Sequence, residues 1–323
     1  MEYRWSLEKL YKSFEDEKFL EDNKNMPILL DDFILWTKEN ITTLTKENLE
    51  EFLKKNIEIK KSFERLMAFG QLSYTVNVKD ENAKRLIEQC ENLFVKFTEI
   101  EVIFAESLKN TENLEDIINS SDFLKEHSFY LLEIKEDTKY MLSKSEELAI
   151  EKIKNTGSRA WSKLQETLTA TLNIEVEVDG EKKTLPLPAI RNLAYEDSQD
   201  TRKSAYYAEL KAYERIDESV ASALNAIKGE AIQETEMRAY DSILSRTLKD
   251  SRIQEKTLAA MLEAMKESLP NFAKFLRKKA ELLGHKNGLP FYDIFAPMGE
   301  ANLTFTEDEA ISFIITNFSS FSH

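Results

Sequence analysis

Glycine and proline are scarce in this 323-residue chain, at 7 and 6 residues, so it has too few backbone breakers for a turn-rich all-β design. Cysteine is nearly absent: Cys90 alone excludes an intrachain disulfide and gives no sign of an oxidising compartment. Apolar runs are short, Val102 to Ala105 being typical, far below the length of a membrane span. The opening Met1-Glu2-Tyr3-Arg4-Trp5 lacks the apolar core of a signal peptide. Basic residues number 44 against 59 acidic ones, and a formal charge of −15 with no basic patch disfavours nucleic acid and anionic lipid as partners. A cytoplasmic protein with a solvated acidic surface is expected.

Lys, Glu, Leu, Ala, Ile and Asn are abundant, and the fold class read from them is all-α, a multi-helix array with one small β-hairpin. Asp80 is a good N-cap for a helix carrying Leu86, Cys90, Leu93, Phe97, Ile100 and Phe104 at steps of three and four. Cys90 lies in that stripe and reads as a small core hydrophobe. A second amphipathic stretch begins after Thr45 with Leu49, Phe52 and Leu53 and continues to Tyr74, with a bend or a close helix contact expected at Gly70. Trp5, Leu10, Tyr11 and Phe14 form a leading segment that packs on these helices.

Polar residues thicken from Thr111 to Ser145, and the expected division is 1–112, an N-terminal helical hairpin or bundle; 113–188; and 189–323. Ser145 with Glu146 and Glu147 is expected to start a helix that Gly157 interrupts before Trp161. Residues 174–187 hold the strand signal: Ile174, Val176 and Val178 alternate with glutamates before Asp179-Gly180, a two-residue hairpin turn. The implied register sets Val178 opposite Glu181, Glu177 opposite Lys182, Val176 opposite Lys183 and Ile174 opposite Leu185.

One long helix is expected over Ala205, Ala208, Ala212, Ile216, Val220, Leu224, Ile227 and Ala231. Another is expected from Ile253 to Pro270, and a further one from Phe272 to Leu283. Thr306 with Glu309 forms a capping box for a last helix whose face of Ala310, Phe313, Ile314, Phe318 and Phe321 is still in progress at His323, the pattern expected of a truncated protein.

Motifs for chemistry are missing. His-Glu-x-x-His, which sets two zinc ligands and a general base on one helix face, does not occur, and His127, His285 and His323 are isolated. No Gly-x-Ser-x-Gly elbow and no glycine-rich phosphate loop is present. Acidic pairs such as Asp31-Asp32 and Glu146-Glu147 read as solvated faces or helix starts.

A family resemblance runs along the chain. Gly157-Ser158-Arg159-Ala160-Trp161-Ser162-Lys163-Leu164, the hairpin, Arg202-Lys203-Ser204-Ala205-Tyr206 and Ala223-Leu224-Asn225-Ala226-Ile227-Lys228-Gly229 resemble oligoendopeptidase F and its thimet oligopeptidase-related relatives. Arg238-Ala239-Tyr240-Asp241-Ser242, Lys278-Lys279-Ala280-Glu281-Leu282-Leu283-Gly284, Tyr292-Asp293-Ile294-Phe295-Ala296-Pro297 and the Thr306–Phe321 segment follow in the family's order. The opening Trp5-Ser6-Leu7, Leu10-Tyr11 and Phe14-Glu15-Asp16 is similar too.

The resemblance implies a mostly helical peptidase with a deep channel, zinc held by a His-Glu-x-x-His helix and a later glutamate, and oligopeptides as substrates. It makes 113–188 the family's N-terminal-type domain and 189–323 the first part of its catalytic domain, cut off before the zinc helix. Zinc is therefore expected in the parent, none in this chain, and no peptidase activity from the chain alone. No catalytic or metal residue is assigned. Ile174, Val176 and Val178, by offering an edge strand, and Tyr292 and Asp293, beside the aromatic connector, are the substrate-binding candidates. A different class, a non-enzymatic helical module binding peptides or a protein through Phe313, Phe318 and Phe321, is the alternative.

Overall fold

A computed structural model describes residues 6–299 and 304–322; Trp5 and His323 lie outside the described residues. The chain opens with three long helices, α1 (Glu17–Asn40), α2 (Lys46–Val76) and α3 (Glu81–Lys109). Each starts where a side chain satisfies the otherwise unpaired first N–H groups. Asp16 accepts from the Lys18 N–H, Thr45 and Asn48 form a reciprocal capping box, and Asp80 accepts from the Asn82 and Ala83 N–H groups.

Apolar faces of these helices close on one another. The Phe52 ring stacks 4.0 Å from Phe104 and 5.4 Å from Phe33, and the Leu86, Cys90, Leu93, Phe97, Ile100 and Phe104 stripe is buried throughout. Burial pushes the Cys90 thiol up to about 12, so it stays a neutral, inert core group. At Gly70 α2 runs on unbroken; an added Cβ would sit 3.2 Å from Leu86 Cδ2, and the residue marks a close approach to α3. Tyr11, Leu10 and Phe14 pack on this core, with the Tyr11 hydroxyl donating to Asp22 at 2.7 Å.

Short helices follow, as the density of polar residues implies: α4 (Leu114–Asn119), α5 (Asp122–Glu126) and α6 (Ser128–Asp137). Helix α7 (Lys144–Lys154) begins at Ser143, two residues before the expected start, because Ser143 and Glu146 close a capping box there. Helix α8 (Ser158–Ala170) leads into β1 (Asn173–Val178) and β2 (Glu181–Pro186), an antiparallel hairpin with the expected register, Val178↔Glu181 through Ile174↔Leu185. Asp179 and Gly180 take φ of 54° and 79°, the left-handed pair that such a turn requires.

After α9 (Leu187–Asn192), the expected single long helix is two, α10 (Gln199–Tyr213) and α11 (Asp217–Met237). Arg215 turns aside to donate to the Asn173 carbonyl at 2.6 Å, and Asp217 and Glu218 begin a new helix at the end that favours anions. The buried phase shifts by one residue: Ala223 is buried and Leu224 exposed. Helix α12 (Ile243–Asp250) precedes α13 (Glu255–Leu282), which is continuous through Pro270, where two helices were expected. A proline removes one ladder bond and can be carried as a kink. Helix α14 (Glu307–Ser319) starts at the Thr306–Glu309 capping box.

The helices and hairpin form two compact units. Met1–Thr171 with Ile216–Ala260 holds the α1–α3 core; Leu172–Arg215 with Met261–His323 holds the hairpin, α9, α10, α13 from Met261 onward and α14. No described helix is long and apolar enough to cross a membrane.

Candidate functional site

Alternation in β1 places Ile174, Val176 and Val178 on one face, and all three are buried, packed within the unit that also contains α9 and α10. Their side chains pack in the core of that unit. The exposed strand is β2, whose side chains are solvated except half-buried Leu185, with Lys182 and Lys183 along it. Lysines of this kind guard a strand edge against indiscriminate pairing.

Asp293 and Tyr292 lie in a 3₁₀ turn, Phe291–Asp293, of the same unit. Asp293 is 0% exposed and fully engaged: Arg202 Nε reaches Oδ1 at 2.8 Å, Gln199 Nε2 donates to Oδ2 at 2.7 Å, and His285 Nε2 lies 2.6 Å from Oδ2. Burial alone would raise this carboxyl, yet the bonds from Gln199, Arg202 and His285 outweigh it and hold it below the ordinary value. Arg202 also donates to the Glu196 and Asp197 carbonyls at 2.6 and 2.9 Å. Asp293 thus ties α10 to the connector, while half-buried Tyr292 sits near Tyr206 and Tyr207.

In the first unit the polar interior gathers on α11. Glu234 accepts from Lys154 at 3.1 Å, Arg238 at 3.1 Å and Arg246 at 3.1 Å. Burial would raise its carboxyl, and Lys154 and Arg246 more than reverse that. Arg238 also forks onto Glu147, 2.6 and 2.7 Å to the two oxygens, a bidentate geometry that only a planar guanidinium supplies. A cavity of about 290 Å³ lies beside this network, lined in part by Tyr140 and Tyr240, which stack at 3.8 Å. One turn earlier on α11, Glu230 caps α8, accepting from the Ser158 N–H at 2.8 Å and its hydroxyl at 2.6 Å. A Cβ at Gly157 would collide with Glu230 Oε2, so the Gly157-Ser158 pair is the fitting for this carboxylate.

A groove of about 780 Å³ in this unit is lined by α2, α3 and α8, with Tyr74, Thr75, Ser158, Ser162 and Thr167 as hydroxyls and Lys163 paired to Glu91 at 2.6 Å. A second hollow of about 520 Å³ shares Gln71 with it and has a floor of Phe63, Met67, Phe94 and Phe97. Arg159 links them, its guanidinium 5.5 Å above the Phe94 ring. Sequence reasoning did not find this groove. Its only advance signal was the Gly157–Leu164 stretch, whose helix forms one wall.

The donor set does not fit zinc. His127 Nδ1 is engaged with the Phe123 carbonyl at 2.8 Å, His285 with Asp293, and among the described residues no group of three or more His, Cys, Asp and Glu is arranged for a metal ion.

Among the described residues the fold is a mainly helical array with one two-stranded hairpin, and comparison with known proteins shows what it resembles. The sequence profile of the oligopeptidase F family matches residues 110–173. The oligoendopeptidase F homolog of Lactococcus lactis subsp. lactis is 21% identical over 320 residues, 95% of this chain and 51% of that protein. Oligopeptidase PepF of Bacillus subtilis is 21% identical over 208 residues, 63% of this chain and 31% of its own length. In fold, the oligoendopeptidase-F crystal structure from Enterococcus faecium superposes with a TM-score of 0.75 at 16% identity, covering 93% of this chain and 62% of that one. PZ peptidase A gives 0.64 at 13% identity, covering 92% and 50%. The resemblance to oligoendopeptidase F-type peptidases is borne out, and the chain spans about half the length of the curated relatives it matches, 51% for the Lactococcus protein.

Proposed function

We propose that this chain is the N-terminal and early catalytic-domain portion of a zinc-dependent endopeptidase that cleaves internal bonds of short oligopeptides in the cytoplasm. Its parts are a helical bundle at 1–112, an oligopeptidase F-type domain at 113–188 and the beginning of the catalytic domain at 189–323. The similarity running through 320 residues to a protein named as an oligoendopeptidase carries this reading. The α2–α3–α8 groove supports it: hydroxyls and paired charges suit a peptide backbone, and the phenylalanine floor suits its apolar side chains. The hairpin's part is backbone pairing along β2, since the β1 side chains are buried.

The chain alone does not hydrolyse peptides in this reading, because His-Glu-x-x-His is absent from the sequence and, among the described residues, His127 and His285 are committed elsewhere, so no metal is held to polarise a peptide carbonyl. Cleavage of a quenched oligopeptide and zinc content, both measured on the 323-residue chain, test this. Turnover with a stoichiometric zinc ion overturns it. A binding-module reading is favoured by one observation, the exposure of Phe313, Phe318 and Phe321 on α14. Peptide binding that is lost when these phenylalanines are changed, and kept when groove residues are changed, selects that reading over the first.

A further inference from the structure

The hollow beside the groove is built from two facing helix stripes, Lys60, Glu64, Met67 and Gln71 on α2, and Phe94, Phe97 and Glu101 on α3, each at helical steps of three and four. Its two ends differ in chemistry. Gln71, shared with the groove, stands at one end, and at the other Lys60 reaches across to Glu101 at 2.8 Å. Phe63 and Phe97, with ring centroids 4.8 Å apart, lie between. Seven residues of α2 separate Gln71 from Glu64, about 10 Å along the helix, so a group entering from the groove passes aromatic carbon before it meets charge. That charge is negative in sum, Glu64 and Glu101 against Lys60. Lys60 engages one oxygen of Glu101, and Glu64 has no ion-pair partner among the described residues. A ring of this hollow already carries a guanidinium: Arg159 sits 5.5 Å above Phe94 while donating to Asn155 and Glu151 at 2.7 and 2.5 Å. Arg159 is thereby committed and offers nothing to an anionic ligand, which a chain of charge −15 repels in any case.

We propose that this hollow takes an arginine side chain of a bound peptide, its methylene stem lying along Phe63 and Phe97 and its guanidinium reaching Glu64 and the Glu101 oxygen that Lys60 leaves. Arginine fits better than lysine because its planar, weakly hydrated head stacks on rings and forks onto carboxylates. The proposal rests on the reading of the groove as a peptide site and adds to it a preference for a basic residue at one position. Fluorescence anisotropy of the full chain tests it with a labelled alanine heptapeptide carrying arginine, citrulline or norleucine at its centre. The arginine peptide is expected to bind about tenfold more tightly than the citrulline one, which keeps the shape and lacks the charge, and the gap should shrink at high salt. Glu64→Gln, at an exposed position, brings the ratio to about twofold and leaves norleucine binding unchanged. Equal binding of the three peptides, abolished by Ser162→Trp in the groove, overturns the proposal and leaves the groove reading standing. Binding of none of them overturns both. An arginine preference that Glu64→Gln leaves intact overturns the assignment to this hollow.

Discussion

The α1–α3 bundle and the α13–α14 segment have similar inventories of leucine, isoleucine, methionine and phenylalanine at helical spacing, and opposite fates. In the bundle the stripes face one another and Phe33, Phe52 and Phe104 form a continuous aromatic stack. On α13 and α14, Leu269, Phe272, Phe275, Phe313 and Phe318 are exposed among the described residues. Amphipathic periodicity therefore specifies that a helix has an apolar face, and says nothing of what meets it. The difference is energetic as well as geometric, since an isolated helix has little stability of its own and a packed one draws on its neighbours.

Truncating one phenylalanine in each region should expose that contrast most sharply. Phe52→Ala, at a 1% exposed position, is expected to destabilise the first unit by about 3–5 kcal/mol through lost transfer energy and the cavity left behind. Phe318→Ala, at 61% exposure, should change the unfolding free energy by less than about 0.5 kcal/mol. Equal losses by chemical denaturation would erase the distinction between the two regions.

Buried ion pairs occur in both units and give the next largest effects. Asp293→Asn in the second leaves buried Arg202 without its counter-charge, at a cost of about 3 kcal/mol, and Glu234→Gln in the first costs less, because half-buried Arg238 keeps Glu147 and Arg246 keeps Asp250. Both carboxyls titrate below their ordinary values of 4.5 and 3.8 when folded. The stabilisation they give is thus complete above those values and is lost as pH falls through the lower folded ones. Denaturation midpoints followed from pH 7 to pH 3 should fall in the acid limb for the parent chain and fall less for each variant. A steeper acid loss in the variants would contradict the assigned direction.

Much of this arrangement was legible in advance where local chemistry decides it. Asp80, Thr45 and Thr306 cap helices as their side chains predict, and Asp179-Gly180 fixed the hairpin register to the residue. Failures arose where a local signal was silent or ambiguous. The stripe from Ala205 to Ala231 continues across a break because α10 and α11 keep nearly the same phase, and the turn at Glu214–Ile216 contains neither glycine nor proline. Pro270 looked like a terminus and is interior. Of the site candidates, Asp293 was singled out beside an aromatic connector, yet its partners Gln199 and Arg202 lie more than ninety residues earlier, at separations of 94 and 91. The α2–α3–α8 groove was invisible for the same reason: it exists only once three distant helices meet.

Smaller effects than those of the ion pairs test how closely the first unit is fitted around its turns and carboxylates. Gly157→Ala drives a methyl group into Glu230 and frees the α8 N-terminus, for a loss of about 1–2 kcal/mol, the size of a missing cap. Ala239 ends α11 at φ 56°, a left-handed conformation that glycine adopts without strain, and the Tyr240 N–H closes the turn onto the Thr235 carbonyl at 3.2 Å. Ala239→Gly relieves that strain but gives the unfolded chain more freedom, so the net gain should be only about 0.5–1 kcal/mol. A destabilised Ala239→Gly variant, with the midpoint measured in the same urea series, would mean that the Ala239 methyl packs in a way that outweighs its backbone strain.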